Sequence, residues 1–144
     1  MTEDKIDIKS LNFTELQKLL EEMGEKKFRA KQLYEWIHKR LVLSFDEMTN
    51  LSKDMRKKLD ESCTIEGARI IKKQVSSDGT AKFLMRLSDG NTVESVLMKY
   101  KHGNSVCIST QVGCRMGCRF CASTVGGLIR SLKTSEMLDQ IYEI

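Results

Sequence analysis

Four of the chain's five cysteines fall in the run Cys107-Ile-Ser-Thr-Gln-Val-Gly-Cys114-Arg-Met-Gly-Cys118-Arg-Phe-Cys121. Three of them, Cys114, Cys118 and Cys121, follow the spacing Cys-x3-Cys-x2-Cys. A thiolate triplet this tight suits a metal centre better than a disulfide framework. Three ligands on one loop can hold three irons of a [4Fe–4S] cluster and leave the fourth iron without a protein ligand. Clusters that only carry electrons usually take four cysteines, so an open iron offers a place for substrate or cofactor. Gly113 and Gly117 relax the steric limits on a loop that must wrap a bulky inorganic core, and Phe120 can shield that core from water. Two plainer readings remain open on spacing alone. One is a zinc site with Cys107 or His102 as fourth ligand, although zinc knuckles usually come in pairs and no second knuckle is present. The other is a set of inert buried thiols.

The rest of the sequence must supply a scaffold for that loop. Its 144 residues allow one ordinary domain or two small ones, and 40% hydrophobic with 31% charged residues describe a soluble globular protein with a modest core. The net charge of +4 is compatible with a nucleic-acid partner without demanding one. The sequence has no apolar run of membrane-spanning length, and the charged start Met1-Thr-Glu-Asp-Lys-Ile-Asp-Ile8 lacks the apolar core of a secretory signal. An odd cysteine count without an export signal points to the reducing cytosol.

Before about Leu11 there is little periodicity, and a loose arm is expected. Phe13, Leu16, Leu19, Leu20 and Met23 then recur at helical spacing, with Asn12 or Thr14 to cap the start and Gly24 to end it. Ala30, Leu33, Tyr34 and Ile37 mark a second amphipathic helix. Ser44–Asn50 reads as a short helical turn, and Ser52 caps a third helix presenting Met55 and Leu59. The pattern changes near Gly67. Ala68–Val75, the alternating run Ala81-Phe83-Met85-Leu87 and Thr92–Tyr100 form three strands joined by Asp78-Gly79 and Asp89-Gly90 turns. After a third tight turn at Lys101–Asn104, the apolar run Val106–Ile108 is expected to open a new domain. A final helix begins near Thr134, with Glu136 favouring its dipole and Met137, Leu138, Ile141 and Ile144 as its apolar face. A strand, a loop and an amphipathic helix make half of a βαβ unit that still needs a parallel neighbour. The sequence is therefore expected to stop just as a larger α/β barrel begins. The fold class is α+β: a helical unit at 1–64, an antiparallel three-stranded meander at 65–103, and at 104–144 the first strand, cysteine loop and helix of the barrel.

Cys114, Cys118, Phe120 and Cys121 match the Cys-x3-Cys-x-aromatic-Cys signature of radical S-adenosylmethionine (SAM) enzymes. The wider run, from Thr92-Val-Glu-Ser-Val through Cys107-Ile-Ser-Thr-Gln-Val-Gly-Cys114 to Ser135-Glu-Met-Leu-Asp-Gln-Ile141, resembles the RlmN/Cfr family of RNA adenine methyltransferases. The likeness extends to Gly24-Glu-Lys-Lys-Phe-Arg-Ala-Lys-Gln-Leu33 and Ser44-Phe-Asp-Glu-Met-Thr-Asn-Leu-Ser-Lys53, which favours the branch that methylates adenine C2 in ribosomal RNA and tRNA. The resemblance implies that Cys114, Cys118 and Cys121 bind a [4Fe–4S] cluster and that its open iron binds SAM. It implies a 5′-deoxyadenosyl radical that activates a methylated cysteine, whose carbon then adds to the adenine ring. It also implies an electron donor such as flavodoxin and a monomeric enzyme.

By the same resemblance, Cys107 matches the cysteine that frees the RNA adduct by forming a disulfide with the methyl-carrying cysteine. That partner has no counterpart in this sequence, so the chain alone is expected to be inactive. Taken by itself, Cys107 reads as a small core residue. Glu94 matches the family's proton acceptor, a role that fits an adduct that must lose its C2 proton. Without the resemblance, a carboxylate in mid-strand usually faces solvent. Cys63 matches no motif and reads as structural. Arg29, Lys31, Lys39 and Arg40, near Phe28, Tyr34 and Trp36, form either an RNA-facing patch or a solvated helix face. Sequence alone identifies no partner for His38 or His102. The rival functions are a C8-methylating relative of the Cfr type and a non-enzymatic zinc-stabilised or RNA-binding module.

Overall fold

The computed structural model describes residues 5–144, and the chain divides into two compact units that meet between Glu66 and Gly67. The expected loose arm is described only from Lys5 onward. There Ile6–Asp7 forms a short strand (β1), and a 3-10 turn at Ile8–Ser10 follows. Ile8 is fully buried, so this segment is part of the core; it is too short to carry a readable period.

Helices α1 (Phe13–Glu22), α2 (Phe28–His38) and α3 (Lys53–Ser62) stand where the apolar spacing puts them, with a 3-10 turn at Phe45–Glu47. The start of α1 is fixed by a reciprocal cap. Asn12 Oδ1 accepts from Glu15 N at 2.9 Å, and Glu15 Oε2 accepts from Asn12 N at 2.8 Å. Ser52 caps α3 by accepting from Met55 N at 3.2 Å. Leu16, Leu20, Leu33, Ile37, Met55 and Leu59 share one core with Phe45 and Met48 from the connecting segment. Strand β2 (Cys63–Thr64) closes the unit by pairing in parallel with β1. Cys63 is buried there, and burial pushes its thiol up to about 11, which suits a structural residue.

The second unit is built on one antiparallel sheet of four strands in sequence order: β3 (Arg69–Val75), β4 (Ala81–Arg86), β5 (Thr92–Tyr100) and β6 (Gly103–Cys107). The expected three-stranded meander is thus one strand short. Val106 and Cys107 do not open a new sheet. The turn at Lys101-His102 folds β6 back on β5, with Tyr100 opposite Gly103 and Val96 opposite Cys107. A tight turn delivers antiparallel pairing at once, whereas a parallel strand needs a long crossover to reach its neighbour.

Strand β7 (Gln111–Gly113) then pairs antiparallel with β8 (Leu128–Ser131), and α4 (Thr134–Tyr142) follows. Met137 and Ile144 pack on the core formed by Ala81, Phe83, Met85, Val93, Val112 and Leu132. The expected apolar face of α4 needs correction. Ile141 is half exposed, while Glu136, Asp139 and Gln140, at i, i+3 and i+4 spacing, are buried. Each of the three has polar partners, which makes its burial tolerable. Asp139 Oδ2 accepts from Ala68 N at 3.0 Å, and it lies so near Gly67 that a Cβ there would fall 2.4 Å from the carboxylate oxygen. A larger residue there would have to displace the Asp139 carboxylate from Ala68 N. No helix among the described residues is long and apolar enough to cross a membrane.

Replacing Asn12 with Ala removes half of the reciprocal cap on α1. The expected cost is about 1 kcal/mol, read as a lower urea midpoint at unchanged slope.

Candidate functional site

Strand β5 divides its side chains between two faces. Val93, Ser95 and Leu97 point toward the core, while Glu94 and Val96 point the other way. The register of the sheet places further residues on Glu94's side. Leu84 stands opposite Glu94, Lys82 opposite Val96 on one flank, and Cys107 opposite Val96 on the other. Cys107 and Glu94 are therefore diagonal neighbours on one face, a relation that spans about 7–8 Å in antiparallel sheets. The Glu94 carboxylate meets Lys82 Nζ at 3.5 Å, with both side chains about half exposed. Such a pair adds little stability. Cys107 is exposed and free.

A cavity of about 420 Å3 opens on this side, lined by Leu84, Glu94, Ser109, Gln111, Cys114 and Ser123 among others. Glu94 and the first cysteine of the triplet thus share one wall, although they are 20 positions apart in the chain. The loop that carries the triplet, residues 114–127, is closed at its base. Cys114 N donates to Gly127 O at 3.1 Å, immediately beside the β7–β8 pair. Gly113 makes this closure possible: its φ is +75°, and a Cβ on it would lie 2.0 Å from Gly127 O. Within the loop, Gly117 N donates to Thr124 Oγ1 at 2.7 Å, Cys121 N donates to Cys118 O, and Met116 N points to Cys114 Sγ at 3.5 Å.

All three cysteines of the triplet are free thiols, Cys118 exposed and the other two half-buried. Their side chains do not converge: among the described residues, no three His, Cys, Asp or Glu side chains are gathered as they would be around a metal ion. Phe120 is 94% exposed and Met116 75%. His102, the alternative fourth ligand for zinc, stacks on Tyr100 with ring centroids 5.1 Å apart.

Two groups that sequence reasoning passed over hold this region in place. The Arg130 guanidinium, from β8, makes paired bonds to the Glu136 carboxylate at 2.7 and 2.8 Å and a third to Asp89 Oδ2 at 2.8 Å. It ties the loop's exit strand to α4 and to the β4–β5 turn. The second group is the Gln140 side chain, whose oxygen accepts from Ser109 N and Ser95 Oγ, both at 2.7 Å, while its nitrogen donates to Ser109 O at 2.8 Å. The i, i+3, i+4 polar stripe on α4 was the available signal for both. In the amino-terminal unit, Arg40 lies over the Trp36 ring at 4.1 Å and Arg29 over Phe28 at 4.8 Å, with Phe28 exposed and Trp36 buried. His38 packs against Tyr34.

With this geometry in view, the chain is similar in fold to a radical SAM methyltransferase from Sphaerobacter thermophilus. The crystal structure of that protein superposes with a TM-score of 0.84 at 36% identity, over 94% of this chain and 40% of the other. The fold is thus shared with part of a radical SAM methyltransferase. Residues 6–65 match the family model described as the ribosomal RNA large subunit methyltransferase N-terminal domain. The chain is 63% identical over 142 residues to a probable dual-specificity RNA methyltransferase RlmN of Lachnoclostridium phytofermentans, and 53% identical over 141 residues to the protein of that name in Staphylococcus aureus. These matches take in 98% of this chain and 40% and 39% of the relatives, so the chain spans about two fifths of their length. It matches the amino-terminal portion of RlmN.

Two predictions follow from the clasp and the ion triad. Gly117→Ala meets open space and costs about 1 kcal/mol of left-handed backbone strain. Gly113→Ala adds an overlap with Gly127 O, so amide exchange at Cys114 should quicken far more in Gly113→Ala than in Gly117→Ala. The triad responds to acid. The Arg130 bond holds Asp89 down at about 2; burial pushes Glu136 up, but its bonds to Arg130 and to Lys133 N outweigh this and leave it lowered. Lowered carboxylates contribute stability that is full above their unfolded value of about 4 and lost as pH falls through the folded value. Thermal unfolding temperature should therefore drop between about pH 4 and pH 2, and Arg130→Met should flatten that slope.

Proposed function

We propose that this chain is the amino-terminal part of a cytosolic radical SAM enzyme that methylates C2 of adenine in ribosomal RNA and tRNA through a methyl-cysteine carrier. One observation carries the reading: Glu94 and Cys107 face the same way on adjacent strands, and Glu94 shares a cavity wall with Cys114. The residues of the matching sequence that act on the RNA adduct are then neighbours of the loop that starts the chemistry. The match of residues 6–65 to the RlmN amino-terminal model supports the C2 branch over the C8 branch.

Cys114, Cys118 and Cys121 would hold the [4Fe–4S] cluster. Their donor chemistry fits it: three thiols on one closed loop, free of disulfides, with a backbone N–H already directed at Cys114 Sγ. A cluster bound there, with SAM, supplies the one-electron chemistry that carbon addition at an unactivated ring position requires. The protein's own residues do the remainder. Glu94 receives the proton lost from C2. Cys107 takes the carrier sulfur into a disulfide. Phe120 and Met116, now exposed, shield the cofactor side of the loop. Arg29, Lys31, Lys39 and Arg40 supply phosphate contacts to the RNA, and a flavodoxin-type donor delivers electrons to the monomeric enzyme.

The test uses a full-length protein carrying this sequence, reconstituted anaerobically with iron and sulfide. It should turn brown, bind SAM and place a methyl group on adenine C2, as mapped by mass spectrometry of the RNA. Cys118→Ala should lose the colour. Glu94→Gln should keep it while turnover falls by about 100-fold or more. A colourless, zinc-loaded protein that ignores SAM overturns the proposal, and methylation at C8 moves the chain to the other branch.

A further inference from the structure

Gln140 is 0% exposed, and both ends of its amide are engaged. Its oxygen takes Ser109 N and Ser95 Oγ, and its nitrogen gives to Ser109 O and, at 3.2 Å, to Glu136 O. Ser109 lies two residues beyond Cys107, just after β6 has left the sheet. Ser95 is the residue next to Glu94. Ser109 Oγ in turn donates to the Glu94 carbonyl at 2.6 Å. A single buried side chain on α4 therefore grips the backbone that follows Cys107 and, through Ser95 and Ser109, the backbone that carries Glu94.

We infer that Gln140 is a positioning residue for release of the RNA adduct, setting Cys107 and Glu94 relative to each other while touching neither the cluster loop nor substrate. The inference rests on the roles proposed above for those two residues. Both act late. Once the radical adduct has given up its unpaired electron to the one-electron carrier that the cofactor would supply, the C2 proton passes to the Glu94 carboxylate. The Cys107 thiolate then attacks the carrier sulfur, an S–S bond forms, and the S–CH2 bond breaks with its electron pair left on carbon. That carbon takes a proton to become the methyl group, so carbon is reduced as the two sulfurs are oxidised. Both events need Cys107 and Glu94 at fixed places against one adduct, and a displacement of about 1 Å is enough to slow such a step about 100-fold. Without the amide, the buried Ser95 Oγ and Glu136 O each lose a partner, and the half-buried Ser109 backbone loses its tether to α4.

The experiment is single-turnover methylation in a full-length protein carrying this sequence, comparing wild type, Cys107→Ala, Gln140→Met and Ser109→Ala. Gln140→Met keeps length and volume but removes every hydrogen bond. Covalent RNA–protein adduct is read by denaturing gel, methyladenosine by mass spectrometry, and cluster content and SAM binding separately. The expected result is that Gln140→Met behaves like Cys107→Ala: adduct accumulates, methylated product falls about 100-fold, and cluster content and SAM binding stay at wild-type levels. Normal product with no adduct overturns the inference. So does an equal fall in adduct and product with cluster and SAM binding intact, because that marks a defect before release. If Gln140→Met does not fold, Ser109→Ala decides, since it keeps the bonds to Gln140 and loses only the one to Glu94: adduct accumulation supports the inference, and wild-type behaviour overturns it. Failure of the wild-type protein itself to methylate RNA is a different result, and it removes the underlying assignment of Glu94 and Cys107.

Discussion

A strand that leaves a sheet gives up its ladder of hydrogen bonds, and buried backbone groups without partners are costly. In this chain that problem arises just after Cys107, where β6 ends and the path turns toward the cysteine loop. The Gln140 amide solves it by presenting a donor and an acceptor to Ser109, as a neighbouring strand would. Everything downstream depends on this. With Ser109 held, Thr110 O can accept from Leu132 N at 2.9 Å, β7 can pair with β8, and the loop between them closes through Cys114 and Gly127. One side-chain amide thus converts the edge of a meander into the base of the cysteine loop.

The ion triad around Arg130 serves the other end of the same loop. A buried carboxylate such as Glu136 is expensive to desolvate unless its partner offers matching geometry, and the planar guanidinium does so through two parallel bonds. The third bond, to Asp89, reaches a more exposed group and is correspondingly easier for salt to screen. Entry to the loop is therefore fixed by a neutral amide and its exit by charge. Between these anchors the triplet cysteines are free, with Cys118 exposed and Cys114 and Cys121 half-buried.

Much of this was legible in the sequence. The three helices of the first unit follow directly from apolar spacing and from Asn12 and Ser52 at their starts, because those signals are local. The hairpin turns at Gly79 and Gly90, both with φ near +85°, were legible for the same reason. The cysteine spacing is plain in the sequence, and the structure adds that Glu94 and Cys107 lie on one face of the sheet. What could not be read was non-local. Val106 and Cys107 form too short a run to announce their partner, so the fourth strand was assigned elsewhere. Gln140, Glu136 and Asp139 look like a solvated helix face until Ser109, Arg130 and Ala68 N are known to lie opposite them.

Strand β5 shows how little room the arrangement leaves for drift. Its alternate residues have separate duties: Val93, Ser95 and Leu97 hold the core and Gln140, while Glu94 and Val96 lie on the opposite face. A slip of one residue against β4 would exchange the two sets, burying the Glu94 carboxylate in the apolar core and exposing Val93. Burial of that charge would cost far more than the pairing returns. The same pattern that lets the sheet fold in only one register therefore also fixes which way Glu94 points. Cys107, tied to Val96 by that register, is carried to the same face, so the relative placement of carboxylate and thiol is a consequence of how the core excludes charge.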